Sequence, residues 1–163
     1  LKIKKNKIFN LLNLIKISKN LNESHKKIIE IPICYDPPYS LDFLNIMEIT
    51  NLKKNELINS HLKTLFHVYM IGFLPGLPFM GHNKDISILP RKITPRINIP
   101  KGSVGLVDNL CVIYPQNSPG GWNIIGRTPI EIFSKNNLKV VEIKAGDKIK
   151  FKRITSSEFK NYE

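Results

Sequence analysis

The sequence predicts a mainly β domain, a barrel or a sandwich, with two short helices in its first half. From Phe66 onward, short apolar runs alternate with turns rich in Gly and Pro, the punctuation of an all-β fold. The prolines at 75, 78, 90, 95, 100, 115, 119 and 129 sit mainly in connections, where their fixed φ costs nothing. Apolar residues near helical spacing occur before Phe66, at Ile8, Leu11, Leu12 and Ile15 within residues 4–20.

Taken in order, the chain opens on LKIKKNKIFNLLNLIKI, basic and then partly apolar. Asn10 and Asn13 interrupt that run and no small-residue cleavage site follows, so it reads as a helix or a strand-to-helix junction and not as a signal peptide. The first residue is Leu1 and not Met, so further sequence is expected upstream. A polar stretch leads to Ile28–Tyr35, an expected strand that the tandem prolines of DPPY (36–39) stop. Leu41–Ile49 reads as a short helix, and a second is expected from the Thr50–Glu56 start signal to Leu65. Further strands are expected at Phe66–Phe73, Gly102–Val107, Cys111–Tyr114, Ile124–Ile125, Ile130–Phe133, Val140–Ile143 and Lys148–Ile154. The last follows the turn in KAGDK.

Composition narrows the function classes. Hydrophobic residues are 42% and charged ones 23% of 163 residues, ordinary for a globular domain. No run reaches the roughly 18 apolar residues of a membrane span. The formal charge of +12 invites a nucleic-acid partner, but arginine occurs only at 91, 96, 127 and 153 and the lysines are scattered. No nucleic acid and no membrane are expected as partners. Cys34 and Cys111 lack metal or disulfide spacing, so no metal site is expected and the compartment reads as reducing, the cytoplasm. G-x-x-x-x-G-K-[ST] is absent, so no P-loop of this chain holds ATP.

Three segments are far more specific than composition: IGFLPGLPFMG (71–81), LPRKITPRINIPKGSVG (89–105) and IYPQNSPGGWNIIGRTPIEIF (113–133). In order, spacing and rare combinations such as SPGGW–IIGRTP, they resemble the family of 5-oxoprolinase B subunits. That family includes the kinase inhibitor KipI and proteins labelled allophanate hydrolase subunit 1. It is also similar to one half, subdomain C/D, of the carboxyltransferase domain of urea carboxylase. The resemblance is dense over Phe66–Phe133 and looser elsewhere.

The resemblance implies a cyclophilin-like β-barrel over residues 28–163, preceded in 1–27 by the remnant of a split βαβ (ferredoxin-like) domain. It implies one component of an ATP-dependent 5-oxoprolinase, inactive without A-type and C-type (KipA-like) partner subunits, with ATP bound with or by them. Two other readings follow from the same family. One is a KipI-like inhibitor docked on a sensor histidine kinase. The other is a carboxyltransferase half-domain handling carboxylated biotin, although this chain has no Met-Lys-Met carrier site.

A lactam resists water because its nitrogen donates into the carbonyl and leaves poorly. A site that opens it holds a carboxylate, a phosphoryl group and a developing oxyanion, which calls for guanidinium forks and N–H donors. Arg91, Arg96 and Arg127 are the arginines of the motif region and the first candidates, against surface ion pairs as the bland alternative. Ser103 reads as an oxyanion donor or a turn residue, and His61 as an acid–base group or a structural hydrogen-bond partner. Substrate contacts are expected from Phe73, Pro75, Gly76, Tyr114, Ser118, Pro119, Gly120, Gly121, Trp122 and Thr128. FLPG (73–76) reads as a Pro-Gly type II turn and a candidate pocket rim. SPGGW (118–122) reads as a turn whose glycines allow left-handed φ and exposed N–H groups, or equally as a plain hairpin turn with Trp122 as core anchor. Two departures from the family pattern stand out. Phe79 replaces a tyrosine, and Leu110-Cys111-Val112 replaces Gln-Thr-Gly, so hydrogen bonding falls if those segments line the site.

Overall fold

The computed structural model describes residues 27–81, 89–134 and 141–162. The expected helix at 4–20 and the N-terminal remnant lie outside those residues, apart from Lys27. Seven strands close into a barrel: β1 (Ile28–Cys34), β2 (Leu65–Ile71), β3 (Pro78–Gly81), β5 (Ser103–Val107), β6 (Leu110–Ile113), β8 (Asn123–Arg127) and β9 (Lys148–Ile154). Their order around the barrel is β1-β8-β5-β6-β3-β2-β9. Every neighbour is antiparallel except the closing pair, where β9 runs parallel to β1 from Ile28↔Lys148 to Cys34↔Ile154.

Closure follows from the residues that face inward. In β1, Ile29, Ile31 and Ile33 are buried while Ile28 and Glu30 are exposed, the period of a half-buried strand. Phe66 and Val68 of β2, Val104 and Leu106 of β5, and Ile149 and Phe151 of β9 meet them in one core. Each fully buried side chain of this kind contributes about 1.5–3 kcal/mol. Two helices pack on the barrel. α1 (Phe43–Thr50) buries Phe43 and Ile46, ends at Asn51 in the left-handed region (φ 54°), and packs on β8. α2 (Lys54–Lys63) buries Leu57, Ile58 and His61 and packs on β9. Its start is closed by Glu56, whose Oε2 accepts from the Lys53 N–H at 2.8 Å.

A small second sheet pairs β4 (Arg96–Ile99) with β7 (Ser118–Gly120). It lies over an outer-face cluster, in which Ile99 meets Leu77, Val112, Tyr114 and Ile124. Alternation separates the two layers on β6. Cys111 and Ile113 point into the barrel core, Val112 into the outer cluster.

Most expected strands are present with ends shifted by a residue or two. The second helix stops at Lys63, because Leu65 already opens β2. Ile130–Phe133 forms no strand, nor do residues 141–143. The Val141 N–H donates to the Glu131 carbonyl at 3.1 Å, joining the two segments. Ile132 and Ile143 are nonetheless buried in the main core, so their apolar signal reports packing without a ladder. Strands β3, β4 and β7 go beyond the expected set, masked by the prolines inside or beside them. Pro78 is tolerated as the first residue of its strand. A final helix, α3 (Ser156–Lys160), also goes beyond the expected set; Thr155 and Glu158 close its start as a reciprocal capping box. It seats Phe159 against Cys34 and Ile154 on the outside of β1 and β9. None of the described helices is long and apolar enough to cross a membrane.

Candidate functional site

Between the outer face of the barrel and the β4–β7 sheet lies a cavity of about 180 Å3. Its walls are Leu77, Phe79, Val112 and Trp122, its floor is Tyr114 and Gly120, and Phe73 and Arg91 stand at its rim. Phe79 meets Trp122 edge-on, ring centroids 6.0 Å apart, a favoured aromatic geometry. Five of the residues expected from sequence thus converge here: Phe73, Arg91, Tyr114, Gly120 and Trp122.

Local folding explains each placement. The Leu74–Leu77 turn closes with the Leu77 N–H donating to the Leu74 carbonyl at 3.0 Å. Pro75 and Gly76 fill its middle, and Gly76 has the positive φ (78°) that a type II turn requires. The turn pushes Phe73 outward, 78% exposed and at φ 68°, a conformation unfavourable for a bulky residue. Arg91 is held by its neighbours. The Lys92 N–H donates to the Gly121 carbonyl at 2.8 Å, and Asn123 Nδ2 donates to the Pro90 carbonyl at 2.9 Å. Its side chain then crosses the Gly121 backbone so closely that a Cβ there would lie 2.8 Å from Arg91 Nε.

The expectation of left-handed glycines in SPGGW is overturned. Neither Gly120 nor Gly121 has positive φ, and Ser118–Gly120 is strand β7. Close approach is the reason for glycine here. A Cβ on Gly120 would collide with the Tyr114 hydroxyl and come within 2.7 Å of Ile99 Cδ1.

Tyr114 supplies the buried polar group. Burial pushes its phenol up to about 12, against the opposing pull of the Arg91 charge and a backbone hydrogen bond from Trp122. At neutral pH it is a hydroxyl that can donate. The site therefore offers one guanidinium fork and one phenol in otherwise apolar walls, suited to a small ring bearing one anionic group. Both departures noted in the sequence, Phe79 and Val112, line these walls, while Cys111 faces the core.

The remaining expected residues lie elsewhere. Arg96 turns its fork to Asp42, with Nη1 to Oδ2 at 2.8 Å and Nη2 to Oδ1 at 2.6 Å. Asp42 also accepts from Lys92 Nζ and from the Ile124 N–H, both at 2.8 Å. Burial alone opposes ionisation of this carboxyl, but the Arg96, Ile124 and Lys92 bonds outweigh it and hold its pKa below the ordinary 3.8. His61 is fully buried, with Nδ1 2.7 Å from the Tyr35 hydroxyl and its ring against Phe66 and Phe151. Ser103 is buried in β5 opposite Arg127. Arg127 and Thr128 lie at the far end of β8 from Trp122. Ser118 is buried in the β7 pairing, and Pro119 is exposed. Among the described residues no group of His, Cys, Asp and Glu is placed to hold a metal.

Leu77, Asp42 and Lys92 were missed in the sequence. Leu77 was legible inside the Gly-Leu-Pro-Phe segment. Asp42 carried no local signal, since its partners are 50 to 82 residues away.

The model of the carboxyltransferase domain, subdomain C and D, matches residues 2–141. The chain is 38% identical over 141 residues to the B subunit of 5-oxoprolinase from Bacillus subtilis, covering 86% of this chain and 59% of that protein. It is 37% identical over 123 residues to the B subunit of 5-oxoprolinase from Haemophilus influenzae, covering 76% and 58%. The chain thus spans about three fifths of the length of these curated relatives. Among solved structures, a conserved uncharacterized protein from Pyrococcus horikoshii matches with a TM-score of 0.76 at 33% identity, over 97% of this chain and 73% of that one. Urea carboxylase of Kluyveromyces lactis matches with a TM-score of 0.67 at 19% identity, over 93% and 16%, and so shares the fold. A closed barrel, an outer-face pocket built from the three motif segments and a family match over most of the chain agree: the chain belongs to the carboxyltransferase domain, subdomain C and D, family.

Proposed function

We propose that this chain is the barrel part of a 5-oxoprolinase component whose outer-face pocket holds the lactam acid. The observation that carries this reading is the pairing of Arg91 with Tyr114 in an apolar cavity of about 180 Å3. A five-membered lactam with one carboxylate has matching features: an apolar ring edge, an anion for the guanidinium and a carbonyl oxygen for the phenol. The names of the curated relatives support the same substrate class.

In that reaction ATP would supply the phosphoryl group that activates the lactam carbonyl oxygen, leaving as ADP, and water attack at the activated carbon would open the ring to glutamate with loss of phosphate. The residues here do not fit the nucleotide in any standard way, since the sequence has no P-loop. ATP is therefore assigned to a site formed with or by the A-type or C-type partners. This chain's own part is binding and orientation. Arg91 fixes the carboxylate, Tyr114 donates to the carbonyl oxygen, and Trp122 and Phe79 exclude bulk water from the ring.

The test is ATP-dependent release of glutamate from 5-oxoproline by the chain with its A-type and C-type partners. Activity of the mixture but not of the chain alone is expected, and Arg91→Lys lowers it by about tenfold to a hundredfold. Robust turnover by the chain alone, or full activity of Arg91→Lys, sinks the reading. A second reading, the histidine-kinase inhibitor, is favoured by Phe73, an exposed aromatic at the pocket rim. Inhibited autophosphorylation that Phe73→Ala relieves would support it.

A further inference from the structure

The far end of β8 carries a second cavity, of about 340 Å3, lined by Lys101, Arg127, Thr128, Glu131, Phe159 and Tyr162 among others. Arg127 is anchored there from two sides. Its Nε donates to the Lys101 carbonyl at 2.6 Å, and its guanidinium carbon lies 5.7 Å from the centre of the Phe159 ring. Those contacts use Nε and the face of the fork, and leave both Nη groups without a protein partner among the described residues.

The scaffold beneath is rigid. The Gly102 N–H donates to the Tyr114 carbonyl at 2.7 Å and the Thr128 N–H to the Gly102 carbonyl at 2.9 Å. Gly102 has φ 81°, and a Cβ on it would collide with the Thr128 carbonyl. The Lys101 N–H is tied to Asn117 Oδ1 at 2.7 Å. Phe159 is stacked on Tyr39 with centroids 4.0 Å apart. The fork is thus fixed before any ligand arrives, which lowers the entropic cost of binding.

We propose that this cavity is a binding site for a phosphate group, separate from the Arg91–Tyr114 pocket and independent of its assignment. The number of donors selects the class. The two Nη groups engage two oxygens of one anion. The Lys101 ammonium has three donors and pairs with Glu131, so it can meet a third oxygen. Thr128 Oγ1 accepts from the Ile130 N–H at 3.2 Å and keeps its own proton to donate. A carboxylate has no third oxygen; a phosphate does. Glu131 offsets one of the two cations, so the binding is moderate and salt-sensitive.

Titration calorimetry of the whole chain at low ionic strength tests this with inorganic phosphate, acetate and ADP. Saturable phosphate binding is expected, weakened about tenfold in Arg127→Lys, which keeps the charge and loses the fork, and unchanged in Arg91→Lys. ADP bound more tightly than phosphate identifies a nucleotide as the source; equal or weaker ADP binding identifies free phosphate. Absence of saturable binding, acetate bound as tightly as phosphate by the Arg91→Lys variant, unchanged affinity in Arg127→Lys, or loss in Arg91→Lys overturns the site. Melting curves check that Arg127→Lys is folded. If it is not, Lys101→Met serves instead, and unaltered phosphate affinity in that variant overturns the proposal equally.

Discussion

Arg96 and Asp42 form a two-bond fork, at 2.6 and 2.8 Å, across 54 residues of sequence. The pair fastens the start of α1 to the edge of the β4–β7 sheet, and the Ile124 N–H ties the same carboxylate to β8. Since the segment between Arg91 and Arg96 also carries Lys92, which joins this carboxylate, one buried acid sets the frame on which Arg91 stands.

Removing Arg96 leaves the buried Asp42 carboxylate with Lys92 and the Ile124 N–H alone, and removing Asp42 leaves two partly exposed cations, Arg96 and Lys92, side by side. Asp42→Asn and Arg96→Met each should cost about 3 kcal/mol of stability, read as a lower urea midpoint. The Asp42 pKa is depressed in the folded state, so its contribution is complete above about pH 4 and disappears as pH falls through the folded value. The gap in stability between the native chain and Asp42→Asn should therefore narrow only in acid, below the ordinary 3.8. A constant gap down to pH 2 would place the stabilisation elsewhere.

Gly121 and Gly120 separate positioning from packing. The atoms nearest a methyl group on Gly121 belong to the Arg91 side chain, which is exposed and can swing away. Gly121→Ala should keep its melting temperature within the range of ordinary surface changes, about 0.5 kcal/mol, and, on the proposed function, weaken 5-oxoproline binding. Gly120→Ala meets Tyr114 and Ile99 in packed surroundings and should lose about 1–3 kcal/mol as well. Equal melting losses for the two would contradict the geometry.

Tyrosine ionisation reports the pocket floor. Of the five tyrosines, Tyr114 is pushed up to about 12 and Tyr35 well above its ordinary 10, both by burial. Ultraviolet titration should show these two ionising last. Their folded pKa values are raised, so the stability linked to them is intact below pH 10 and falls as pH climbs beyond it. Tyr114→Phe should lower the number of late-titrating phenols by one.

Cys34 and Cys111 are both fully buried, and burial pushes the Cys111 thiol well above 9.0. Neither should react with a thiol reagent in the folded chain, and both should react once urea unfolds it. Fast labelling of Cys111 under native conditions would show that the barrel opens.

Sequence alone determined the mainly β class, because the Gly and Pro punctuation after Phe66 and the alternation in runs such as IIEIPIC and KIKFKRI are local properties. It also drew Phe73, Arg91, Tyr114, Gly120 and Trp122 into one set of candidates through the three motif segments. Tertiary structure decided where each stands. Arg91, Arg96 and Arg127 look alike in Pro-framed turns, yet they separate to a pocket rim, a buried ion pair and a second cavity. That division depends on Asp42, Gly121 and Phe159, which lie 30 to 54 residues off in the chain. Gly120 and Gly121 read as turn formers in sequence, and their real constraint is the atoms facing them across the fold. Local pattern fixes which residues are apolar, rigid or charged; which cation meets which partner is set by barrel closure, a long-range event with no local signature.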